Sequence, residues 1–177
     1  DMCTGSGCIL LSLLHYSNDC EGLGVDLSAE ALEVAGRNVL KVLTPEKAEH
    51  AHFLQSDLFE KVEGKFEIIV SNPPYIASAE VEKLMPEVRD HEPRMALDGT
   101  EDGLYFYRRI IEEAGKHLVS SGMLFFEIGY DQGQAVSELM RTEGYCEVQV
   151  VQDYAGLDRV VFGTYVTVQP APFAKSR

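Results

Sequence analysis

The sequence predicts an α/β protein built on an open, mostly parallel sheet with helices on both faces and an antiparallel final strand. Strand-length apolar runs alternate with helix-length segments along most of the 177 residues, joined by short connections. A glycine-rich turn, Thr4-Gly5-Ser6-Gly7, opens directly into an apolar helical stretch, the order expected where a strand hands over to a helix. The strongest β-branched run, Phe66-Glu67-Ile68-Ile69-Val70, is stopped by Asn72-Pro73-Pro74, because proline lacks the N–H that a continuing ladder needs.

In chain order, Cys8 to Tyr16 reads as a helix rich in Leu and Ile, ended by the polar Ser17-Asn18-Asp19. Glu21 to Asp26 holds a short strand that finishes on an acid. Ser28 then caps a helix with Leu32, Ala35 and Val39 on one face. Phe53-Leu54 is a weak strand before Ser56-Asp57-Leu58-Phe59. Residues 76–103 mix acids, Pro and Gly without firm periodicity, a long excursion of the kind that is often functional in a compact domain. A helix resumes at Leu104 and is expected to reach Leu118. Ser121-Gly122 reads as a turn into a buried strand, Met123 to Ile128, and Gln134 to Thr142 as a helix. Glu147 to Val151 and Arg159 to Phe162 form two closing strands. One domain over residues 1–166 and an extended or disordered tail over 167–177 complete the expected organisation. Asp1 opens directly on a turn that normally follows a buried strand, so the expectation is that the first strand is missing and any targeting signal lost with it.

Acidic residues outnumber basic ones 29 to 15, a formal charge of −14. A surface of that sign repels phosphate backbones and anionic lipid, so nucleic acid and membrane are disfavoured partners. No apolar run approaches the roughly 20 residues of a membrane-spanning helix. The four cysteines, Cys3, Cys8, Cys20 and Cys146, form no CxxC pair, and the five histidines no HxxxH, so neither a metal site nor a disulfide framework is suggested. Reduced thiols in a cytoplasmic protein are the expectation. His15, His91 and His117 read as solvated or satisfied residues, Cys3 and Cys8 as packing rather than activated thiols, and Ser6 lacks the GxSxG context of a hydrolase.

Three motifs carry chemistry. The turn Cys3-Thr4-Gly5-Ser6-Gly7 brings backbone N–H groups to a helix N-terminus, and Asp26 lies 19 residues beyond Gly7, close to the spacing at which an acid accepts both hydroxyls of a ribose. Leu10 replaces the third glycine of the dinucleotide pattern, which favours a nucleoside cofactor without a pyrophosphate. In Ser56-Asp57-Leu58-Phe59 a short acid can accept from an exocyclic amine such as that of adenine while Leu58 covers a ring face; a helix-cap acid is the plainer alternative. Asn72-Pro73-Pro74-Tyr75 is the most specific. Its prolines rigidify the backbone, the Asn amide both donates and accepts, and Tyr75 can stack on a planar group, a set suited to holding an amide or an aromatic amine.

These residues resemble the Asn-Pro-Pro-Tyr class of S-adenosylmethionine-dependent methyltransferases, and within it the HemK/PrmC family of release factor glutamine methyltransferases. The likeness runs from Asp1 to about Tyr165. Beyond the motifs above it includes Pro86-Glu87-Val88, His91-Glu92-Pro93, Ala96-Leu97-Asp98-Gly99 and Asp102-Gly103-Leu104, with Thr100 departing where the family often has a second Gly. The resemblance implies a Rossmann-like class I methyltransferase fold and S-adenosyl-L-methionine as cofactor, leaving as S-adenosyl-L-homocysteine. It also implies a peptide chain release factor as protein substrate, methylated on the glutamine of a Gly-Gly-Gln motif. Carried over, Cys3, Thr4, Gly5, Ser6 and Gly7 line the methionine part of the cofactor, Asp26 holds the ribose, Asp57 and Leu58 meet the adenine, and Leu27 is also cofactor-binding. Asn72 touches cofactor and substrate; Asn72, Pro73, Pro74 and Tyr75 grip the glutamine, with Asn72, Pro73 and Tyr75 catalytic. The expectation is that the family's N-terminal helical domain, like the first strand, is missing from this stretch of sequence. Two rival readings remain open at this point: an adenine amino methyltransferase acting on DNA or RNA, because the same tetrapeptide suits an exocyclic amine, and an inactive cofactor-binding fragment.

Overall fold

The computed structural model describes residues 1–166, and the tail expected over 167–177 lies outside them. The glycine-rich turn feeds α1 (Cys8–Tyr16), then β1 (Gly22–Asp26), α2 (Ala29–Val42), the single turn α3 (Pro45–Ala48), β2 (Ala51–Gln55) and β3 (Phe66–Ser71). Ser28 caps α2 as its position implies, its Oγ accepting from the Ala31 N–H at 3.1 Å.

β1 and β2 pair in parallel, as do β3 and β4 (Leu118–Glu127). Beyond β4 the order is β6 (Asp158–Tyr165) and then β5 (Tyr145–Gln152) at the edge. Since β6 is antiparallel to both neighbours, it alone runs against the other strands. Met2 forms parallel bridges to Val25 of β1 and to Ser71 of β3, joining the β1-β2 pair to the rest. Below Met2, β1 and β3 face each other across a cavity of about 280 Å³ lined by Leu10, Leu14, Leu23 and Ile68, among others. There the apolar Ile68 stays 56% exposed.

Alternation along β1 explains the layers. A side chain at Gly22 or Gly24 would run into Leu10, and at Gly22 into Leu14, so that face of the strand lies against α1. Leu10, Leu11 and Leu14 pack there with Val39 and Leu43. Val25 and Leu23 point the other way into the main core, which α7 (Tyr105–Ala114) fills with Tyr107, Ile110, Ile111 and Ala114 and α8 (Gly133–Thr142) with Val136 and Met140. Helices thus cover both faces, as expected.

Two boundaries differ from expectation. The helix from Leu104 ends at Ala114, followed by a turn, and Leu118 already belongs to β4. Ser121-Gly122 is not a turn before the strand. β4 runs through it with a register shift against β3 and Ser121 at φ 65°. Within 76–103 three one-turn helices form, α4 (Ser78–Val81), α5 (Pro86–Arg89) and α6 (Arg94–Leu97). The segment is closed at its base: Ile76 N–H donates to Leu97 O (3.0 Å), Gly99 N–H to Ile76 O (2.8 Å) and Ser78 N–H to Thr100 O (2.9 Å). Lys83 with Glu80 and Arg94 with Glu82 form exposed pairs that contribute little to stability, while Arg94 also reaches the less exposed Asp98. No described helix is long and apolar enough to cross a membrane.

Candidate functional site

The carboxyl ends of β1, β2 and β3 converge on a second cavity, of about 370 Å³. This is the edge at which open α/β sheets take their ligands. Each strand delivers one polar residue: Asp26 ends β1, Asp57 follows β2, and Asn72 follows β3.

The turn beneath is tightly built. Cys3, Gly5 and Gly7 all have left-handed backbone (φ 57°, 55° and 80°), which bends the chain sharply enough to start α1. Asp1 holds the bend, its Oδ2 accepting from Thr4 Oγ1 (2.7 Å) and from the Leu10 N–H (3.2 Å). Gly7 is needed for a second reason, since a Cβ there would lie 3.3 Å from Ala35 of α2. At Gly5 a Cβ would meet nothing within 4 Å, because the turn borders open cavity there.

Asp26 is held by both oxygens. Oδ2 accepts from the Gly5 N–H at 2.8 Å and Oδ1 from the Ser28 N–H at 2.9 Å, so one carboxylate ties the turn to the start of α2. Each oxygen keeps a lone pair for a further donor. Asp57 accepts from Arg109 Nη1 at 2.9 Å through Oδ1, and Leu58 beside it is buried with φ 45°. The Asn72 side chain is exposed and makes no hydrogen bond to other described residues, whereas Pro73 and Pro74 behind it are buried.

Of the residues singled out from sequence, Cys3, Gly5, Asp26, Leu27, Asp57, Leu58, Asn72 and Pro74 line this cavity together. Thr4, Ser6, Gly7, Pro73 and Tyr75 do not. Thr4 is buried beneath the turn, Ser6 faces solvent while its carbonyl accepts from Asn38 Nδ2, and Tyr75 is half-buried. Burial and the nearby charge of Glu127 push the Tyr75 phenol above its ordinary range, so it is neutral at physiological pH. The Cys3 thiol is pushed up to about 12, first by burial and then by the Asp26 charge, in keeping with packing rather than nucleophilic chemistry.

Sequence reasoning gives no role at the cofactor cavity to Pro93, Met95, Ala96 and Asp98, which the closed 76–103 segment brings to the cavity wall, or to Phe106 of α7. The repeated Pro, Ala and Gly landmarks of that segment were the available signal, but they do not say which way it folds.

A nucleoside carrying an amino-acid arm fits this donor set. Of the three carboxylates that line it, Asp98 is taken up by Ser78, Thr100 and Arg94; Asp26, oriented by two backbone N–H groups, and Asp57 stand beside apolar surface at Leu58 and Phe106 and a glycine turn with free space over Gly5.

Known proteins match in the same sense. A family profile described as the methyltransferase small domain matches residues 1–88. The release factor glutamine methyltransferase of Agrobacterium fabrum is 45% identical over 161 residues, covering 91% of this chain and 55% of that protein. The one from Clostridium acetobutylicum is 44% identical over 163 residues, covering 91% and 56%. The chain therefore spans a little over half the length of the curated relatives it matches. Among solved structures, a methyltransferase from Pyrococcus furiosus superposes with a TM-score of 0.66 at 17% identity, covering 93% of this chain and 72% of that one. The ribosomal protein L11 methylase of Lactobacillus delbrueckii subsp. bulgaricus gives 0.63 at 19%, covering 94% and 69%. At such identities the superpositions speak to the fold alone, that of the class I S-adenosylmethionine-dependent methyltransferases. Along nine-tenths of its length the chain is similar in sequence to release factor glutamine methyltransferases.

Proposed function

We propose that the protein carrying this chain transfers a methyl group from S-adenosyl-L-methionine to the side-chain amide nitrogen of a glutamine in a peptide chain release factor, the glutamine of a Gly-Gly-Gln motif. The observation that carries the reading is the position of Asn72. An exposed, unengaged amide on a proline-stiffened corner stands in the wall of the cavity that also holds Asp26 and Asp57.

In this reading Cys3 and Gly5 of the turn border the methionine arm of the cofactor, Asp26 accepts from the ribose hydroxyls, and Asp57 with Leu58 receives the adenine. When bound, the cofactor supplies an electrophilic methyl group on a sulfonium. An amide nitrogen is a poor nucleophile because its lone pair is delocalised into the carbonyl. Asn72 Oδ1 and the Pro73 carbonyl oxygen accept the two amide hydrogens of the glutamine, which fixes the rotation of the group and draws electron density toward nitrogen. Positioning of this kind contributes up to roughly 7–11 kcal/mol to lowering a barrier. No strong general base is required, since the nitrogen becomes acidic on methylation and then releases a proton. Tyr75, a neutral phenol, offers a face to the amide plane.

The rival reading, methylation of an adenine amino group in nucleic acid, finds no support in a chain of charge −14. Incubation of release factors and of RNA and DNA with the full-length protein and labelled cofactor tests the proposal. One added methyl on a release factor glutamine is expected, and label on nucleic acid alone would overturn the reading.

A further inference from the structure

The tetrapeptide at the centre of the site has an unusual problem of placement. Pro73 and Pro74 have no N–H, so the corner cannot be held by donating into a sheet ladder. The residue that meets this need lies 57 positions away. Gln132, in the loop between β4 and α8, donates from Nε2 to the Tyr75 carbonyl at 2.9 Å and to the Gly103 carbonyl at 3.3 Å. Its Oε1 accepts from the Gly129 N–H at 3.0 Å and lies 3.4 Å from the Tyr107 hydroxyl. That hydroxyl has one proton, and its shorter acceptor is the Glu127 carbonyl at 3.0 Å.

The partners define the amide's orientation. Two carbonyls can only accept and a backbone N–H can only donate, so the reverse rotamer would set oxygen against two oxygens. The Gln132 side chain is thereby a bracket joining the end of β3, the base of the 76–103 segment and the end of β4. Gly103 keeps room for it, and Gly99 for the backbone it holds. A Cβ at Gly103 would lie 2.3 Å from the Tyr75 carbonyl oxygen and 2.9 Å from Gln132 Nε2, and one at Gly99 would lie 2.7 Å from Tyr75 Cα and 2.8 Å from the Pro74 carbonyl oxygen. The base of the segment therefore packs on the Pro74–Tyr75 backbone without side chains between.

We propose that Gln132 is a positioning residue for methyl transfer: by holding the Tyr75 carbonyl against the base of the 76–103 segment, its amide sets the placement of Asn72 and Tyr75 relative to the cofactor cavity. The proposal rests on the function proposed above. Gln132 touches neither cofactor nor substrate in this account; it acts through the backbone of the residues that do.

The test uses the full-length protein and two variants. Gln132→Glu keeps the length and an oxygen for Gly129 and Tyr107 but replaces the donor facing Tyr75 and Gly103; Gln132→Met keeps the bulk and removes every bond. Cofactor affinity by calorimetry, kcat and KM on a release factor, thermal unfolding, and amide hydrogen exchange without ligands are measured on each. Expected are a fall in kcat of about 10- to 100-fold, the scale of an ångström-sized misplacement, with cofactor affinity at the parental value and cooperative unfolding. Exchange should quicken at the Ile76, Ser78 and Gly99 amides, which close the base of the segment, and not in β1 or β2. A folded variant with parental kcat overturns the proposal. So does a variant in which kcat and cofactor affinity fall together, or the failure of both variants to fold, since each marks a merely structural role. If the parental protein methylates no release factor, the functional reading fails. The exchange at Ile76, Ser78 and Gly99 then still decides whether Gln132 holds the tetrapeptide.

Discussion

Asp26→Ala probes the proposed cofactor site at its best-defined point. In the folded chain the carboxylate accepts from the Gly5 and Ser28 N–H groups at 2.8 and 2.9 Å. These bonds aim its remaining lone pairs at the cavity, where the account places two ribose hydroxyls. A hydrogen bond to a charged group contributes about 1.5–3 kcal/mol. Asp26 is only half-buried, so the lower end applies to each, and losing two costs about 3 kcal/mol. That corresponds to roughly a 100-fold weaker Kd for the cofactor. The substitution also frees the N–H groups of Gly5 and Ser28, two residues that are themselves only partly buried, so the melting temperature should fall by only a few degrees, about 2–4 °C per kcal/mol for a chain of this size. Calorimetric titration with S-adenosyl-L-homocysteine, well below the melting transition, reads the effect directly. An affinity within about threefold of the parental value, less than the roughly 1.4 kcal/mol of a tenfold change, would refute the assignment of Asp26 to the ribose.

Two glycines should respond in opposite directions to alanine. Gly103→Ala forces a Cβ to within 2.3 Å of the Tyr75 carbonyl oxygen at a φ of 71°, so melting should drop by the equivalent of about 1–3 kcal/mol and turnover should fall with it. Gly36→Ala, inside α2 with nothing within 4 Å of the new methyl, should raise stability by about 0.4–1 kcal/mol; thermal unfolding checks both. Stability should also depend on alkaline pH. Burial raises the Tyr107 and Tyr145 phenols well above their ordinary range, while the unfolded chain ionises them near pH 10. The unfolded state therefore releases protons that the folded state keeps, so stability is full below about pH 10 and falls as pH rises further. Unfolding followed by tyrosinate absorbance should show these two residues ionising only with loss of structure, and their titration in the folded chain near pH 10 would contradict it.

What could be read from sequence was local. Ser28 caps α2 because its hydroxyl meets an N–H three residues on, and Asn72-Pro73-Pro74 ends β3 because proline cannot donate to the ladder. Asp26, Asp57 and Asn72 were recognisable because each sits at a strand end, where topology alone brings them together. What escaped depends on partners far along the chain. The helix after Leu104 stops at Ala114 rather than Leu118 because Leu118 is drawn into register with Phe66 of β3, a contact no window around it reveals. The strand through Ser121-Gly122 survives its turn-like dipeptide because both neighbours, β3 and β6, pair with the residues just beyond it. The one-turn helices of 76–103 have too few residues to show a period, and the base of that segment is closed by bonds between its two ends. Arg109 reaches Asp57 across 52 residues, and Gln132 reaches Tyr75 across 57. Neither stands in a motif that announces a site.

The central claim is that Asn72 presents a glutamine amide for methylation. Its exposed side chain makes no hydrogen bond to the other described residues, so Asn72→Ala should leave stability within about 0.5 kcal/mol of parental and cofactor binding largely intact. The direct measurement is mass spectrometry of a release factor after incubation with S-adenosyl-L-methionine and the full-length protein, parental or Asn72→Ala. The account predicts one added methyl, on the glutamine of Gly-Gly-Gln, with the parental protein and none above background with the variant. Equal methylation by both, or no methyl on the release factor with the parental protein, would contradict it.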